Sequence, residues 1–220
     1  MRNDLSVRLK MIADMAARYG TDKSRVIDVG SDHGQLSVYL LKNNRFATAL
    51  LTDINEGPIQ RSKAAVSDNL LEDRADTMVT DGLAGVVVRT GDVIVMAGMG
   101  GNNIRDIIDR FREENGSIPD DITFVLQPQK SLPELREWLS LNGFSIVDED
   151  CCHESGFYYC VLCVKYTGEA VSLTDREIYY GPVMLGRFDV YPEYKAFLDR
   201  VFEVRARGDK RLKKMLEDEA

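Results

Sequence analysis

The chain has 220 residues, of which 44% are hydrophobic, and its formal net charge is −8. That length is enough for one domain of catalytic size with a small extension. There is no run of about eighteen apolar residues, which excludes a membrane-spanning protein, and the first residues lack the apolar segment of a secretory signal, so a cytoplasmic location is expected. The acidic charge also excludes a protein that binds nucleic acid over its whole surface.

Residues 4–19 are the first predicted element, an amphipathic helix whose apolar residues recur at spacings of three and four. Short β-branched segments then alternate with segments of helical period. The predicted strands are residues 25–29, 47–52, 77–80, 92–97 and 123–126. The predicted helices include residues 35–42, 58–69 and 132–141. Because such alternation needs crossover connections, it predicts a mostly parallel sheet covered by helices on both faces.

Two further strand-like segments, residues 144–152 and 157–166, follow without a helix between them. The short link between them leaves no room for a crossover, so they are predicted to form an antiparallel hairpin. Beyond the hairpin only helical patterns remain. The predicted fold class is therefore α/β, with residues 1–166 as one domain and residues 167–220 as a small helical domain.

The strongest functional signal lies at the end of the first predicted strand. The strand ends in Asp28 and Val29, followed by Gly30. Asp32 comes next, and a helix begins near Gly34. The carboxyl ends of parallel strands are where such sheets bind ligands, and glycine permits close approach of the backbone. The middle glycine of the dinucleotide pattern is missing and the two acids would repel a pyrophosphate, so this loop favours a cationic ligand without phosphate groups.

Three further strand ends suit S-adenosylmethionine, whose sulfonium, ammonium and ribose diol can each meet a carboxylate. Asp53 follows the second strand, where an acid typically accepts hydrogen bonds from the ribose hydroxyls. Asp81 and Gly82 follow the third strand and are expected to bracket the adenine amino group. Residues 97–104, beginning at Ala97, are expected to form a flexible floor that faces the methyl group. Each of these elements alone is equally consistent with a turn or a helix cap.

A cluster of four cysteines and His153 between residues 151 and 163 has the composition of a zinc site. It contains one C-x-x-C spacing, Cys160 to Cys163, whereas structural zinc sites usually have two. Residues three apart on a strand also point to opposite faces. The cysteines are therefore predicted to be free thiols in the core, and no metal site is expected.

A basic segment lies near the end of this otherwise acidic chain. Residues 195–216 contain eight Lys or Arg residues against three acids. The segment is either a contact for nucleic-acid phosphates or a solvated helix face. The Tyr and Phe residues within residues 188–202 are predicted to pack against the protein instead of stacking on bases.

Together these motifs resemble those of the bacterial tRNA (adenine 22, N1)-methyltransferases, the TrmK family. The resemblance covers almost the whole chain. It rests on LSVRL (residues 5–9), DVGSDHGQL (28–36), TDIN-x-GP (52–58), DGL (81–83), AGMGG (97–101) and LQPQ (126–129).

The resemblance implies a Rossmann-like class I methyltransferase fold, followed by a coiled-coil-like helical domain that helps to hold tRNA. The implied cofactor is S-adenosylmethionine. Its implied contacts are Arg8, Asp28, Gly30, Asp32, His33, Asp53, Asn55, Asp81 and Gly98.

The resemblance also implies methylation of N1, which carries an in-plane lone pair and can attack without first losing a proton, so no strong base is expected. Asp32 is the candidate for favouring the cationic product electrostatically. His33 and Met99 are candidates for the surface that receives the base, although His33 is alternatively a loop histidine that caps its own turn. Enzymes that act on N6 generally carry an Asn or Asp, two prolines and an aromatic residue at the fourth strand end. The fourth strand end here lacks that clamp, which disfavours an N6 product.

Two functions of other classes remain open at this point. Gly30 and Asp53 also suit a nicotinamide-dependent oxidoreductase, although the missing glycine counts against it. A catalytically silent RNA-binding module would keep the basic segment and bind no cofactor. Titration with S-adenosylmethionine and with NAD separates the three possibilities.

Overall fold

The computed structural model describes residues 5–218 of the chain. Within these residues seven strands form a single sheet. The strands are β1 (Arg25–Val29), β2 (Thr48–Asp53), β3 (Ala75–Val79), β4 (Val93–Met99), β5 (Thr123–Pro128), β6 (Phe144–Glu154) and β7 (Phe157–Tyr166). The helices are α1 (Val7–Tyr19), α2 (Gln35–Lys42), α3 (Glu56–Asp68), α4 (Gly101–Asn115), α5 (Leu132–Leu141), α6 (Asp175–Tyr180), α7 (Pro192–Arg205) and α8 (Lys210–Glu217), with a 3-10 turn at Met184–Arg187.

The sheet has the strand order β3-β2-β1-β4-β5-β7-β6. Strands β1 to β5 pair in parallel, and β7 runs antiparallel to both β5 and β6. The hairpin turn consists of Ser155 and Gly156, both with positive φ, which matches the right-handed twist of the strands. The predicted α/β fold with a terminal antiparallel hairpin is confirmed.

The core lies on both faces of the sheet. One hydrophobic cluster joins the sheet to α1 and α2, and the other joins it to α4 and α5. Cys163 belongs to the first cluster and Cys160 to the second, as the three-residue spacing on a strand requires. All four cysteines are free, and burial raises the pKa of the Cys163 thiol to about 12. The prediction of core thiols is therefore confirmed for Cys151, Cys160 and Cys163, while Cys152 is half-buried.

Residues 5–218 contain neither a metal-binding cluster nor a membrane span. No group of three or more His, Cys, Asp or Glu side chains in that part of the chain is arranged to hold a metal ion. No helix there is long and apolar enough to cross a bilayer.

The region after β4 differs from the prediction. Residues 97–104 were expected to form a flexible floor, but Ala97 to Met99 belong to β4 and α4 begins at Gly101. The glycine at position 101 is required by packing: a Cβ atom there would lie 2.6 Å from the Ser131 carbonyl oxygen. The glycines of this segment therefore allow a strand and a helix to pass close to a neighbouring loop, and the segment is not a flexible floor.

Element ends elsewhere shift by a few residues. The first helix begins at Val7 because the Ser6 hydroxyl caps the backbone N–H of Leu9, while residue 4 of the predicted helix lies outside the described residues. Helix α3 begins at Glu56, two residues before Pro58, since proline is tolerated in the first turn of a helix.

The helical extension packs on the hairpin. A third hydrophobic cluster contains Cys151 of β6 together with Met184, Tyr194 and Phe202 of the extension, and Tyr158 of β7 packs against it. The aromatic residues of the extension therefore cover apolar surface, as predicted, and α7 and α8 form a continuous body with the sheet.

A fully buried ion pair joins the same elements. Arg136 of α5 donates from Nε to Glu149 Oε1 of β6 at 2.9 Å, and both side chains are 0–1% exposed. Arg136 Nη1 also donates to the Ile178 and Tyr179 carbonyl oxygens at 3.1 Å. The other carboxylate oxygen, Glu149 Oε2, accepts from the backbone N–H groups of Val183 and Met184 at 2.9 Å. We refer to this arrangement as the buried clasp.

The buried clasp also explains a glycine. Gly181 has φ +103, a region that L side chains rarely adopt, and a Cβ atom there would lie 2.7 Å from Arg136 Nη2. Only glycine lets the chain pass this close to the buried charges.

Candidate functional site

A crevice opens at the carboxyl ends of the central strands. In the strand order β2 is the neighbour of β1 on one side and β4 is its neighbour on the other. Such a reversal of strand order leaves a gap above the sheet where α/β proteins bind ligands. Two cavities occupy this gap, of about 220 and 330 Å³, and Gly30 lines both of them.

The structure brings the predicted site residues together in two groups. The smaller cavity is lined by Gly30, Asp53, Asp81, Gly82 and Met99. The larger cavity is lined by Arg8, Asp28, Gly30, Asp32, His33, Ala97 and Gly98. Asn55 lines neither cavity; its backbone N–H donates to Asp53 Oδ1 at 2.9 Å.

The loop after β1 is held by backbone and hydroxyl contacts. The N–H groups of Gly30 and Ser31 both donate to the Thr52 carbonyl oxygen, at 2.8 and 3.0 Å. Ser31 Oγ lies 3.0 Å from Ser62 Oγ of α3. Gly34 has φ +65, and a Cβ atom there would lie 3.0 Å from Leu51 Cδ2. These contacts tie the loop to β2 and α3, and Gly34 is required where α2 meets the sheet.

Asp28 lies beneath this loop. Its side chain is buried and accepts a hydrogen bond from the Ser37 hydroxyl at 2.8 Å. Burial raises the pKa of the Asp28 carboxyl to about 6, against the opposing effect of Ser37. Because Asp28 is the last but one residue of β1 and Ser37 lies in α2, this hydrogen bond ties the end of the strand to the helix that follows the loop.

Asp32 and His33 lie at the mouth of the larger cavity. Asp32 has φ +48, and its carboxylate accepts from Arg61 Nη2 at 2.7 Å. His33 Nε2 lies 3.5 Å from the second oxygen of Asp32. Both side chains are more than half exposed. The Arg61 guanidinium offsets part of the negative charge that the sequence pattern assigned to this position.

Asp81 has a partner that its sequence position does not reveal. Arg110 of α4 donates to both of its carboxylate oxygens, at 2.6 and 3.0 Å. These hydrogen bonds hold the pKa of the Asp81 carboxyl below its usual range. The neighbouring Gly82 has φ +63, and a Cβ atom there would lie 2.8 Å from Ile107 Cγ2. The glycine keeps this end of the smaller cavity open against α4.

Met99 lines the smaller cavity next to Gly30. A Cβ atom at Gly30 would lie 3.2 Å from Met99 Cε, so the glycine leaves room for this side chain. The preceding Gly98 has φ +78, at a register shift between β4 and β5. The end of β4 is therefore bulged where Gly98 lines the larger cavity and Met99 lines the smaller one.

Sequence reasoning missed several residues of the crevice. Ile107 and Asn103 of α4 line the smaller cavity, and Gln129 lines the larger one. Gln127 lies behind the larger cavity and accepts a hydrogen bond from Arg8 Nη1 at 2.9 Å. The LQPQ motif contains both glutamines, so the motif itself was the available signal.

The comparisons with known proteins agree with this geometry. Residues 5–162 match the model of the family described as "Methyltransferase domain". The tRNA (adenine(22)-N(1))-methyltransferase of Bacillus subtilis is 28% identical over 196 residues, which cover 89% of this chain and 79% of that protein. A candidate tRNA methyltransferase of Mycoplasma pneumoniae is 31% identical over 165 residues, or 74% of this chain and 73% of that protein.

A solved structure extends the comparison to the fold. A candidate tRNA (m1A22) methyltransferase of Streptococcus pneumoniae, in complex with S-adenosyl-L-methionine, superposes with a TM-score of 0.80 at 25% identity. The superposition covers 97% of this chain and 95% of that chain, so it includes the helical extension. The chain therefore belongs to the family described as "Methyltransferase domain", and it is similar over most of its length to tRNA (adenine(22)-N(1))-methyltransferases.

Proposed function

We propose that this protein transfers a methyl group from S-adenosylmethionine to N1 of adenine 22 in tRNA. The observation that carries the proposal is the crevice at the carboxyl ends of β1, β2 and β4, whose two cavities meet at Gly30. It is found in a chain whose relatives are named for this reaction. The lining of the crevice includes the acids Asp28, Asp32, Asp53 and Asp81, which suit a ribose and a sulfonium, and the loop after β1 lacks the middle glycine of the dinucleotide pattern.

The residues of the smaller cavity fit the adenosine part of the cofactor. Asp53 is half-buried and would accept hydrogen bonds from the ribose hydroxyls. Ile107 and Gly82 would border the adenine, with Asp81 held beside it by Arg110. We assign the adenosine to this side because Val29, Ile54 and Ile107 of the lining offer an apolar surface to the base.

The larger cavity fits the methionine part. Arg8 would bind the carboxylate, and Asp28 and Asp32 supply negative charge for the ammonium and the sulfonium. Gly98 and Ala97 let the backbone approach closely, and Met99 would lie next to the point where the two parts join. When bound, the cofactor supplies an electrophilic methyl group on a positively charged sulfur.

The protein contributes mainly positioning to the reaction we propose. N1 of neutral adenine carries a lone pair in the ring plane, so no residue has to remove a proton before attack. Alignment and exclusion of water are worth up to about 7 to 11 kcal/mol in well-oriented systems. His33 and Met99 would form part of the surface that receives the unpaired base. Asp32 would stabilise the cationic product, with its charge moderated by Arg61.

Methyl transfer into unmodified tRNA tests the proposal. Purified protein, labelled S-adenosylmethionine and tRNA transcripts with and without an adenine at position 22 are combined, and the nucleosides are identified by mass spectrometry. We expect 1-methyladenosine only in the transcripts with adenine 22. Label in N6-methyladenosine, or NAD binding in place of S-adenosylmethionine binding, would contradict the proposal and favour the alternatives.

We also propose a division of labour along the chain. Residues 1–166 would carry the cofactor and the chemistry, and residues 167–220 would contact tRNA. Because tRNA is a cytoplasmic substrate, we propose that the protein acts in the cytoplasm. Two basic residues of the extension are less suited to bind tRNA phosphates, because acids already pair with them. Arg211 pairs with Glu137 and with Asp175, and Lys213 pairs with Glu217.

Replacing Arg205, Arg207, Lys210 and Lys214 together by Gln is expected to weaken tRNA binding and leave S-adenosylmethionine binding unchanged. All four side chains are exposed, so the fold should tolerate the change. The slope of log affinity against log salt should become shallower by somewhat under one unit for each phosphate that the variant no longer neutralises. Binding to tRNA at several salt concentrations measures the slope.

A matched control replaces four exposed cations outside the extension, Lys23, Lys42, Arg45 and Lys63, by Gln. The control removes the same charge from the chain. Equal changes in slope for the two variants would show that only net charge matters and that the extension is a solvated face.

A further inference from the structure

One fully buried amide lies directly behind the larger cavity. The Gln127 side chain, near the end of β5, is 0% exposed. Its Oε1 accepts from Arg8 Nη1 at 2.9 Å and from the backbone N–H of Gly98 at 3.2 Å. Its Nε2 donates to the Pro128 carbonyl oxygen at 3.0 Å. One side chain therefore links α1, the bulged end of β4 and the end of β5.

A polar residue is not what packing alone would select at this position. The three residues before it, Phe124, Val125 and Leu126, are all apolar and fully buried. Burying an amide is unfavourable unless its polar atoms find partners, and here they do. The hydrogen bonds that Gln127 makes therefore explain why a polar residue occupies this position. Among its partners in the described residues, only the Arg8 guanidinium is charged.

Arg8 is fixed from a second side as well. Its guanidinium carbon lies 5.5 Å from the centre of the Tyr159 ring on β7. The first turn of α1 is tied to the hairpin by a hydrogen bond from Val7 N to Glu154 Oε1 at 2.7 Å. In the described part of the chain the Arg8 guanidinium contacts a neutral amide and a ring and forms no ion pair, so its positive charge is available to a ligand in the larger cavity.

We propose that Gln127 is a positioning residue, which aims the Arg8 guanidinium at the carboxylate of the methionine part of the cofactor without touching the cofactor itself. The inference rests on the proposed function, because it takes S-adenosylmethionine as the ligand. Gln127 would thereby set the affinity for the carboxylate end of the cofactor, although it lies behind the wall of the larger cavity.

The choice of glutamine over glutamate supports this role. A glutamate would also accept from Arg8 and Gly98, but its charge would pair with the guanidinium. The cofactor carboxylate would then compete with an internal one. A neutral acceptor orients the guanidinium and leaves its charge available for the ligand.

Two ligands separate a positioning role from a merely structural one. S-adenosylmethionine and decarboxylated S-adenosylmethionine share the adenosine, the sulfonium and the ammonium and differ in the carboxylate. Their dissociation constants are measured by calorimetry for the wild type, Gln127→Met, Gln127→Glu and the control Gln60→Met, which changes an exposed glutamine of α3.

We expect Gln127→Met, which removes one charge-assisted hydrogen bond, and Gln127→Glu, whose charge pairs with the Arg8 guanidinium, each to weaken binding of S-adenosylmethionine about tenfold or more. Binding of the decarboxylated ligand should change less than about twofold, and Gln60→Met should leave both unchanged. Gln127→Glu keeps the size of the side chain and its acceptor oxygen, so it tests the positioning role even where Gln127→Met fails to fold.

A double-mutant cycle tests whether the effect passes through Arg8. In an Arg8→Met background, Gln127→Met should cause no further loss of S-adenosylmethionine affinity, because coupled residues are not additive. A full additional loss in that background, or equal losses for the two ligands, would overturn the positioning role. Wild-type protein that binds neither ligand would instead contradict the proposed function.

Discussion

Arg136→Met is expected to lower the free energy of unfolding by about 3 to 5 kcal/mol, the cost of leaving one member of a buried ion pair without its partner. Glu149 would keep the N–H groups of Val183 and Met184 but lose the guanidinium, and the Ile178 and Tyr179 carbonyl oxygens would lose a donor. At about 2 to 4 °C per kcal/mol for a chain of this size, the midpoint of thermal unfolding should fall by about 6 to 20 °C.

The second variant in this test is Arg136→Met combined with Glu149→Gln. Glutamine keeps an oxygen for the two backbone N–H groups and removes the unpaired charge, so the double variant should be more stable than Arg136→Met alone. Arg45→Met, at an exposed position, is the control and should change the midpoint little. A midpoint for Arg136→Met within about a degree of the control would show that the clasp contributes nothing to stability.

Asp53→Ala is expected to weaken S-adenosylmethionine binding on the order of a hundredfold and to leave the fold intact. The proposed interaction is a pair of charge-assisted hydrogen bonds to the ribose, each worth about 1.5 to 3 kcal/mol, and every 1.4 kcal/mol is a factor of ten. Within the protein the Asp53 carboxylate accepts from the N–H of Asn55, a local contact in a partly exposed loop. Calorimetry and thermal unfolding measure the two effects separately.

Two further variants make this test specific. Asp53→Asn keeps one acceptor oxygen and should bind with intermediate affinity. Asp73→Ala removes an exposed acid just before β3 and should bind as the wild type does. Unchanged affinity in Asp53→Ala would mean that the smaller cavity is not the ribose site.

The sequence predicts the central strands well because β1, β4 and β5 are short and mostly buried apolar runs. Helix α2, helix α5 and strand β7 have the predicted bounds. The start of α4 could not be predicted, because a glycine-rich run has the composition of a loop. The close passage of Gly101 by the Ser131 carbonyl oxygen becomes visible only when the two segments are brought together.

The predicted site residues gather around one crevice because strand ends of a parallel sheet share an edge. Their partners were less predictable. Asp81 is paired with Arg110 and Asp32 with Arg61, each about thirty residues away along the chain. Gln127 and Arg8 are 119 residues apart, and no local pattern connects them. Local spacing thus predicts which residues reach the site, while long-range contacts decide their electrostatic state.

The buried clasp has a consequence for how the protein is made. Ribosomal synthesis delivers Arg136 and Glu149 before Ile178 to Met184, so a chain still growing has only water to offer Nη1 of the guanidinium and the second carboxylate oxygen. The clasp is therefore completed only after the segment that carries Ile178 to Met184 has been synthesised.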